Sequence, residues 1–201
     1  MLGTQADGRT GGWWGQWGKQ DLCPPGEFAV GYALKSEGSQ GSGNDNDDTA
    51  LNGIRLLCNG GTKVTSKFEK FGAWQSALRC TTGKGAINGF KIKIEDKAGH
   101  DADDTGANQV NMACLGGSPL TGNGKTPWGT WSVMETCSGD KVVIGLTTRV
   151  EEELGEGVSG ADDTALNGMQ LICEYCCPSV FCQYEVETFV FCEALMFDIL
   201  A

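Results

Sequence analysis

Six segments of the chain tend to alternate apolar and polar residues, with the two-residue period of a β-strand. Three of them are rich in β-branched or aromatic residues: FAVGYALKSE, INGFKIKIED and VVIGLTTRVEE. The other three each end in a cysteine: LNGIRLLC, ANQVNMAC and LNGMQLIC. Such alternation is typical of a strand with one buried face. No long stretch has the 3.6-residue period of an amphipathic helix, so the pattern predicts an all-β protein of short strands and turns.

These segments belong to a threefold internal repeat. The motif DDTALNG begins at Asp47 and again at Asp162, and a degraded copy, DDTGANQ, begins at Asp103. An aromatic-Gly-x-Trp motif precedes each copy, and its three occurrences are 57 residues apart, ending at Trp17, Trp74 and Trp131. A period near 57 is too long for a solenoid coil and slightly longer than a propeller blade. We therefore expect three units closed around a pseudo-threefold axis, each contributing one sheet.

Every unit carries two cysteines at equivalent positions. They are Cys23, Cys58, Cys80, Cys114, Cys137 and Cys173. Symmetric pairing within units would join Cys23 with Cys58, Cys80 with Cys114 and Cys137 with Cys173. Pairing between units would join Cys58 with Cys80 and Cys114 with Cys137, and Cys173 would return to Cys23. We favour pairing within units, because each sheet would then carry its own bridge and no bond would cross the whole chain, but spacing alone leaves both possibilities open.

Composition narrows the class of protein. The chain has 201 residues, ten cysteines and a net charge of -11, and the charge argues against nucleic acid or an anionic membrane surface as a partner. The cysteine content indicates an oxidising compartment, and we expect neither a metal site nor a cofactor. The first residues lack the basic and apolar regions of a signal peptide. We therefore expect a mature, secreted, extracellular protein whose signal peptide is not part of this chain.

The order of aromatic-Gly-x-Trp, cysteine, strand pair and DDTALNGIRLLC, repeated over about residues 12–173, resembles the vitelline membrane outer layer protein 1 family. The resemblance implies a disulfide-stabilised β-prism of three Greek-key sheets around a pseudo-threefold axis. It also implies a secreted protein of extracellular coats or fluids. A weak lysozyme-like or transglycosylase activity on N-acetylglucosamine oligomers is associated with the egg-coat member, without an established catalytic residue.

We expect one prism domain at 12–177, preceded by an N-terminal extension at 1–11. Its repeats cover about 12–68, 69–125 and 126–177. The segment 178–201 departs from the family pattern because it is Cys-rich and apolar, and it is too short and too rich in acids to span a bilayer. It could pack on the prism or a neighbouring chain, or form intermolecular disulfides. The pairing of the four later cysteines stays undefined: Cys176, Cys177, Cys182 and Cys192.

The paired aspartates of the repeat motif have two possible roles. Asp103 and Asp104, like their counterparts in the other units, could bind calcium or act as a glycosidase acid and base. Repetition favours a structural role instead, because every unit needs a turn into its last strand, and Asp and Thr side chains stabilise such turns. His100 lies near the middle pair, without a nucleophile pattern around it.

The tryptophans divide into two groups. The symmetric positions of Trp17, Trp74 and Trp131 predict equivalent core residues. Trp14 and Trp128, with Trp13, are less constrained by the pattern and are candidates for exposed ligand contacts.

Our leading hypothesis is a non-enzymatic structural component of a secreted coat, matrix or mucus, with other matrix proteins as partners. The alternatives are a carbohydrate-binding module that binds oligosaccharides, or a weak glycan transferase or hydrolase.

Overall fold

The structure is a computed structural model, and it describes residues 4–5, 14–38, 50–81, 85–95, 105–152 and 164–175. Its regular elements within these ranges are all β-strands. In chain order they are β1 (Thr4–Gln5), β2 (Gln16–Trp17), β3 (Asp21–Leu22), β4 (Ala29–Ser36), β5 (Leu51–Cys58), β6 (Lys63–Val64), β7 (Ala73–Trp74), β8 (Leu78–Arg79), β9 (Ile87–Ile94), β10 (Ala107–Cys114), β11 (Leu120–Thr121), β12 (Thr130–Trp131), β13 (Glu135–Thr136), β14 (Lys141–Val150) and β15 (Leu166–Tyr175).

The strands form three antiparallel sheets, each with two long central strands and short strands along both edges. Sheet A has the order β1-β15-β14-β2, sheet B the order β6-β5-β4-β7, and sheet C the order β11-β10-β9-β12. In addition, β3 pairs with β14, β8 with β4 and β13 with β9. In every sheet the strand after the first three returns to lie beside the first, which is the Greek-key arrangement. The predicted all-β prism of three Greek-key sheets is confirmed.

The edge strands on one side of each sheet come from the following unit. Strands β7 and β8 of the second unit complete sheet B, and β12 and β13 of the third unit complete sheet C. Sheet A is completed by β2 and β3, which lie near the start of the chain. The expectation that one unit contributes one whole sheet is therefore wrong, because neighbouring units exchange edge strands.

One hydrophobic core lies between the inner faces of the three sheets. It draws large, fully buried side chains from all six long strands, among them Tyr32, Ile54, Phe90, Met112, Leu146 and Leu171. The alternation seen in the sequence places these residues on the inner face of each sheet. Burial of this apolar surface is the main force that holds the sheets together.

Each long strand pair contains two β-bulges, and the bulges occupy equivalent places in the three sheets. One bulged residue is the asparagine of the DDTALN-type motif, which has no partner in the strand register: Asn52, Asn108 and Asn167. All three side chains are fully buried. A bulge bends its strand and sharpens the local twist, so the repeated asparagine marks a bend that every sheet needs.

The disulfides are Cys23–Cys58, Cys80–Cys114 and Cys137–Cys173, so the predicted pairing within units is confirmed. The expectation that each bridge would staple a single sheet is wrong. The backbone N–H of Cys23 donates to the carbonyl of Ile144 in sheet A, whereas Cys58 lies in sheet B. Because edge strands are exchanged between units, each bridge joins two neighbouring sheets, and the three bridges together encircle the prism.

The prediction that the repeated tryptophans form the core is also wrong. Trp17 is 46% exposed, and Trp74 and Trp131 are half-buried. In the strand register these rings lie opposite basic residues on the sheet face away from the core: Trp74 is opposite Lys35, which the corner covers, and Trp17 is opposite Arg149. Directly opposite residues share one face of a sheet, so the tryptophans lie on the outer faces of the prism.

Candidate functional site

Three equivalent corners lie at one end of the prism, which we call the aromatic end. Each corner is an aromatic residue followed by glycine, and each meets the last residues of a long central strand. The corners are Trp14–Gly15, Phe71–Gly72 and Trp128–Gly129. A glutamate follows the central strand at each corner: Glu151, Glu37 and Glu95, respectively. The disulfides lie at the opposite end of the long strands, so the aromatic end is a separate surface.

Close backbone contact explains why every corner contains glycine. Gly15, Gly72 and Gly129 have φ angles of 77°, 66° and 88°, in the left-handed region. A Cβ atom on Gly72 would lie 2.3 Å from the carbonyl oxygen of Ser36, and one on Gly129 would lie 2.4 Å from that of Ile94. Only glycine fits both the backbone angle and the space. The repeated motif therefore fixes the aromatic residue on a rigid turn.

A basic side chain from the long strand holds each corner in place. Lys35 Nζ donates to the carbonyl oxygens of Lys70 at 2.6 Å and Gly72 at 3.2 Å, and also to that of Phe71. Arg149 Nε donates to the carbonyl oxygen of Gly15 at 3.1 Å. In the third corner Lys93 Nζ donates to the carbonyl oxygen of Pro127.

Lys35 is buried, and its environment affects its titration. Burial lowers the pKa of its ammonium group, and the carboxylates of Glu37 and Glu69 offset part of that shift. Its hydrogen bonds to three carbonyl groups compensate the loss of water around the charge.

The threonine and asparagine of the repeat motif form a buried hydrogen-bond chain with the corner glutamate. Thr164 Oγ1 donates to Glu151 Oε2 at 2.6 Å, and Asn167 Nδ2 donates to Thr164 Oγ1 at 2.5 Å. Thr105 makes the same two contacts, with Glu95 and Asn108, at 2.6 Å each. These contacts fix the threonine and asparagine where the chain enters a long strand. The structural role of the paired aspartates stays a prediction, because they lie outside the described residues.

The candidate acids lie outside the described residues. These are Asp103 and Asp104, together with the other aspartate pairs and His100. Within the described part of the chain, no group of three or more His, Cys, Asp or Glu side chains could hold a metal ion.

Two of the predicted contact residues lie at the surface of the aromatic end. Trp14 is 41% exposed and Trp128 is 39% exposed. Phe71, at the third corner, is half-buried, with Lys70 Nζ 5.0 Å from its ring centre. The aromatic end thus presents two large exposed rings on turns that the glycines and basic side chains hold rigid.

Sequence reasoning missed the cation-aromatic stacks on the outer faces. The Arg55 guanidinium lies 3.9 Å from the centre of the Trp74 ring, and Phe68 meets the same ring edge-on at 5.8 Å. Lys91 Nζ lies 4.6 Å from the centre of the Trp131 ring. The signal in the sequence was the outward alternation of Arg55 and Lys91 along their strands, which would have placed a cation beside each ring. Stacks of this kind stabilise by about 0.5–1 kcal/mol at exposed sites.

Comparison with known proteins gives a family. The family model for vitelline membrane outer layer protein I matches residues 5–179. The vitelline membrane outer layer protein 1 homolog of Mus musculus is 37% identical over 175 residues, which cover 83% of this chain and 81% of the relative. The homolog of Homo sapiens is 37% identical over 188 residues, which cover 85% of this chain and 87% of the relative.

Solved structures of plant lectins share the fold at low identity. A mannose-binding lectin from Champedak has a TM-score of 0.54 at 9% identity, with coverage of 87% of this chain and 98% of the lectin. The artocarpin-mannotriose complex has a TM-score of 0.55 at 10% identity, with coverage of 87% and 99%. In the described residues no helix is long and apolar enough to cross a membrane. The lectins establish a shared fold only, whereas the family match and the two relatives show that this chain belongs to the vitelline membrane outer layer protein I family.

Proposed function

We propose that this protein is a secreted structural component of an extracellular coat, matrix or mucus, and that it contacts glycans through its aromatic end. The observation that carries the structural part is the ring of three disulfides, each of which joins two neighbouring sheets. Such bridges persist in oxidising, extracellular compartments. The family is named for the outer layer of an extracellular egg coat, which supports the same assignment.

The glycan part depends on Trp14 and Trp128. The C–H faces of a sugar ring pack against indole, and an exposed tryptophan on a rigid turn provides such a surface with little loss of side-chain entropy on binding. Lectins that share the fold have been solved with bound mannotriose and other mannose sugars, which is support by analogy at the level of the fold.

Other coat or matrix proteins are the proposed protein partners. Docking through 178–201, by apolar contact or by intermolecular disulfides, is the route we propose, and this segment lies outside the described residues.

A weak glycan transferase or hydrolase stays the alternative. It requires two carboxyl groups facing one another, one of them with a raised pKa. Asp103 and Asp104 are the residues for which this prediction can be tested.

The proposal is tested by mass spectrometry of the protein incubated with an N-acetylglucosamine hexamer, together with a non-reducing gel of the same sample. An intact hexamer alongside covalent protein multimers is the expected result. Redistribution of sugar chain lengths that disappears in Asp103→Asn would instead favour the enzyme. Binding of the hexamer, followed by tryptophan fluorescence, is expected to weaken in Trp128→Ala and in Trp14→Ala. Unchanged binding in both variants would contradict the role of the aromatic end.

A further inference from the structure

A cleft of about 350 Å³ lies between sheets B and C. Its residues come from β4, from the segment around β8, and from β11 with the loop that follows. Those used in the argument are Leu34, Gln75, Ser76, Leu78, Asn123 and Lys125. The volume is at the lower end of the range for small-molecule sites.

The equivalent junction between sheets A and B is filled by protein. Ser66 Oγ accepts a hydrogen bond from the backbone N–H of Thr148 at 3.1 Å and donates to the carbonyl oxygen of Lys19 at 2.8 Å. Thr148 Oγ1 also donates to the carbonyl oxygen of Lys67 at 2.5 Å. Lys67 Nζ then pairs with Glu152 at 2.8 Å. These contacts close that junction completely enough to bury Ser66.

Substitutions at equivalent positions explain the difference. The strand registers align Ser66 with Gly122 and Lys67 with Asn123, so the serine side chain that fills one junction is absent from the other, and a shorter side chain replaces the lysine. Gly122 cannot carry a side chain, because a Cβ atom there would lie 2.2 Å from the carbonyl oxygen of Val110 and 3.0 Å from Tyr32 Oη. The open cleft is therefore a departure from the threefold symmetry that the amino-acid sequence of this unit produces.

The floor and rim of the cleft have different chemistry. The half-buried Leu78 gives it an apolar floor, above the buried Leu34. Gln75 Nε2 donates across it to the carbonyl oxygen of Asn123 at 2.7 Å, which links the two sheets. Ser76 and Asn123 are exposed and place a hydroxyl and an amide at the rim.

The charge of the lining residues favours one class of ligand for this amphipathic cleft. Lys125 lies at the rim and contributes a cation, and the described lining residues include no acid. Lys125 is the one charged side chain among the described lining residues, and a cation at the rim favours a negatively charged ligand.

We propose that the cleft binds one residue of an acidic oligosaccharide, with the apolar face of the sugar on Leu78 and its anionic group at Lys125. This inference deepens the proposed function and rests on it, because it names a second contact and a sugar class for the glycan. It also explains why one junction of a nearly symmetric prism is left open while its counterpart is sealed.

The test is an NMR titration of the isotope-labelled full chain with a hyaluronan tetrasaccharide, which carries carboxylates, and separately with a neutral N-acetylglucosamine tetramer. The acidic probe is expected to shift the amide signals of Gly122 and Lys125 and to bind more tightly. Lys125→Gln is expected to weaken its binding by about tenfold, the order of a lost charge-assisted hydrogen bond. Lys19→Gln is the matched control, because Lys19 lies in the sealed junction at the position equivalent to Ser76. This variant should bind the acidic probe with the same affinity as the wild type.

A variant that blocks the cleft tests whether binding requires the open cleft as well as the charge of Lys125. Ser76→Trp places a ring at the exposed rim and is expected to abolish the shifts at Gly122 without altering the melting temperature. Equal binding of both probes, unaffected by Lys125→Gln, would overturn the inference. Binding lost in Trp128→Ala but retained in Ser76→Trp would also overturn it, while leaving the proposed function intact. No binding of either probe to the wild-type chain would count against both.

Discussion

Tyr32 carries a buried hydroxyl that its equivalents in the other sheets, Phe90 and Leu146, lack. Tyr32 Oη donates to the carbonyl oxygen of Val110 at 2.8 Å and lies 3.3 Å from that of Leu120. The bond ties β4 in sheet B to β10 in sheet C, directly beneath the cleft. Because phenylalanine occupies the same position in the second unit, the fold accepts the ring without its hydroxyl.

Tyr32→Phe is expected to lower the free energy of unfolding by about 1 kcal/mol, the net value of a buried hydrogen bond. Burial also raises the pKa of the Tyr32 hydroxyl above its ordinary value. Above pH about 10 the unfolded chain releases this proton while the folded chain keeps it, so the stability of the wild type falls as pH rises. Urea unfolding at pH 7 and at a series of alkaline values should show a shallower fall for Tyr32→Phe. Parallel curves for the two proteins would contradict the assignment.

The residue before each second long strand adopts a left-handed backbone conformation. Ala50 has a φ of 47°, Gly106 of 62° and Ala165 of 46°. The glycine is needed in the middle unit, because a Cβ atom on Gly106 would lie 2.7 Å from the carbonyl oxygen of Thr164 and 2.9 Å from that of Leu166. The units therefore meet closely here, and only one of the three positions lacks room for a methyl group.

Gly106→Ala is expected to destabilise by about 1–3 kcal/mol, because left-handed strain adds to a backbone clash. The reverse change, Ala165→Gly, is the matched comparison. There the relief of strain, about 1 kcal/mol, opposes an unfolded-state entropy gain of about 0.4–1 kcal/mol, so the net change should stay under about 1 kcal/mol. Thermal unfolding of both variants measures the difference. A loss in Ala165→Gly as large as that in Gly106→Ala would show that packing between the units is not the cause.

At the scale of elements, the aromatic corners depend on glycine for space as well as for backbone angle. Gly129 has a φ of 88° and close backbone neighbours, whereas Gly139 has a φ of 62° and nothing within 4 Å of the place that a Cβ atom would take. The two glycines therefore separate the cost of the angle from the cost of the contact.

Gly129→Ala is expected to cost more than Gly139→Ala, for which strain alone predicts about 1 kcal/mol. The extra loss reflects displacement of β12 from the end of β9, and it should be accompanied by weaker sugar binding through Trp128. Denaturant unfolding gives the first quantity and tryptophan fluorescence titration the second. Equal losses in the two variants would mean that the corner can move without cost.

The sequence was sufficient for the long strands and the threefold repeat, because alternation and spacing are local signals. It favoured disulfide pairing within units but left pairing between units open, since spacing alone does not determine connectivity. It was not sufficient for the exchange of edge strands, since a fixed period does not say which unit donates β7 or β8 to a sheet. The outward position of Trp74 was missed for a related reason. Strand β7 has only two residues, too few for alternation to reveal which side faces the core.

Of the candidate site, too, one part could be predicted from the sequence and another could not. The exposure of Trp14 and Trp128 could be predicted, because their position in the motif accepts either tryptophan or phenylalanine and is less constrained by the pattern. The cleft could not, because it depends on Gly122 facing Leu34 across two sheets. That contact appears only when strands distant in sequence have been assembled.

At the scale of the whole molecule, the prism closes by joining the two ends of the chain. Trp17 pairs with Arg149 in sheet A, and Thr4 pairs with Cys173. Contacts between such distant residues require closure of long loops, which slows folding. Disulfides formed early would shorten these loops, so the bridges should matter for the unfolded chain as well as for the finished prism.

The three bridges offer a test of where their stabilisation originates. Their paired cysteines are 35, 34 and 36 positions apart in the sequence, respectively, and the chain-entropy model gives roughly 3.5 to 4 kcal/mol for a loop of this size. The double variants Cys23→Ala/Cys58→Ala, Cys80→Ala/Cys114→Ala and Cys137→Ala/Cys173→Ala should therefore lose nearly equal amounts of unfolding free energy in urea. Equal losses are expected only if the bridges stabilise by restricting the unfolded chain, because that restriction depends on loop length alone. A much larger loss in the Cys137 and Cys173 variant would place the effect in the folded state instead, because that bridge joins sheet C to sheet A, the sheet completed by both ends of the chain.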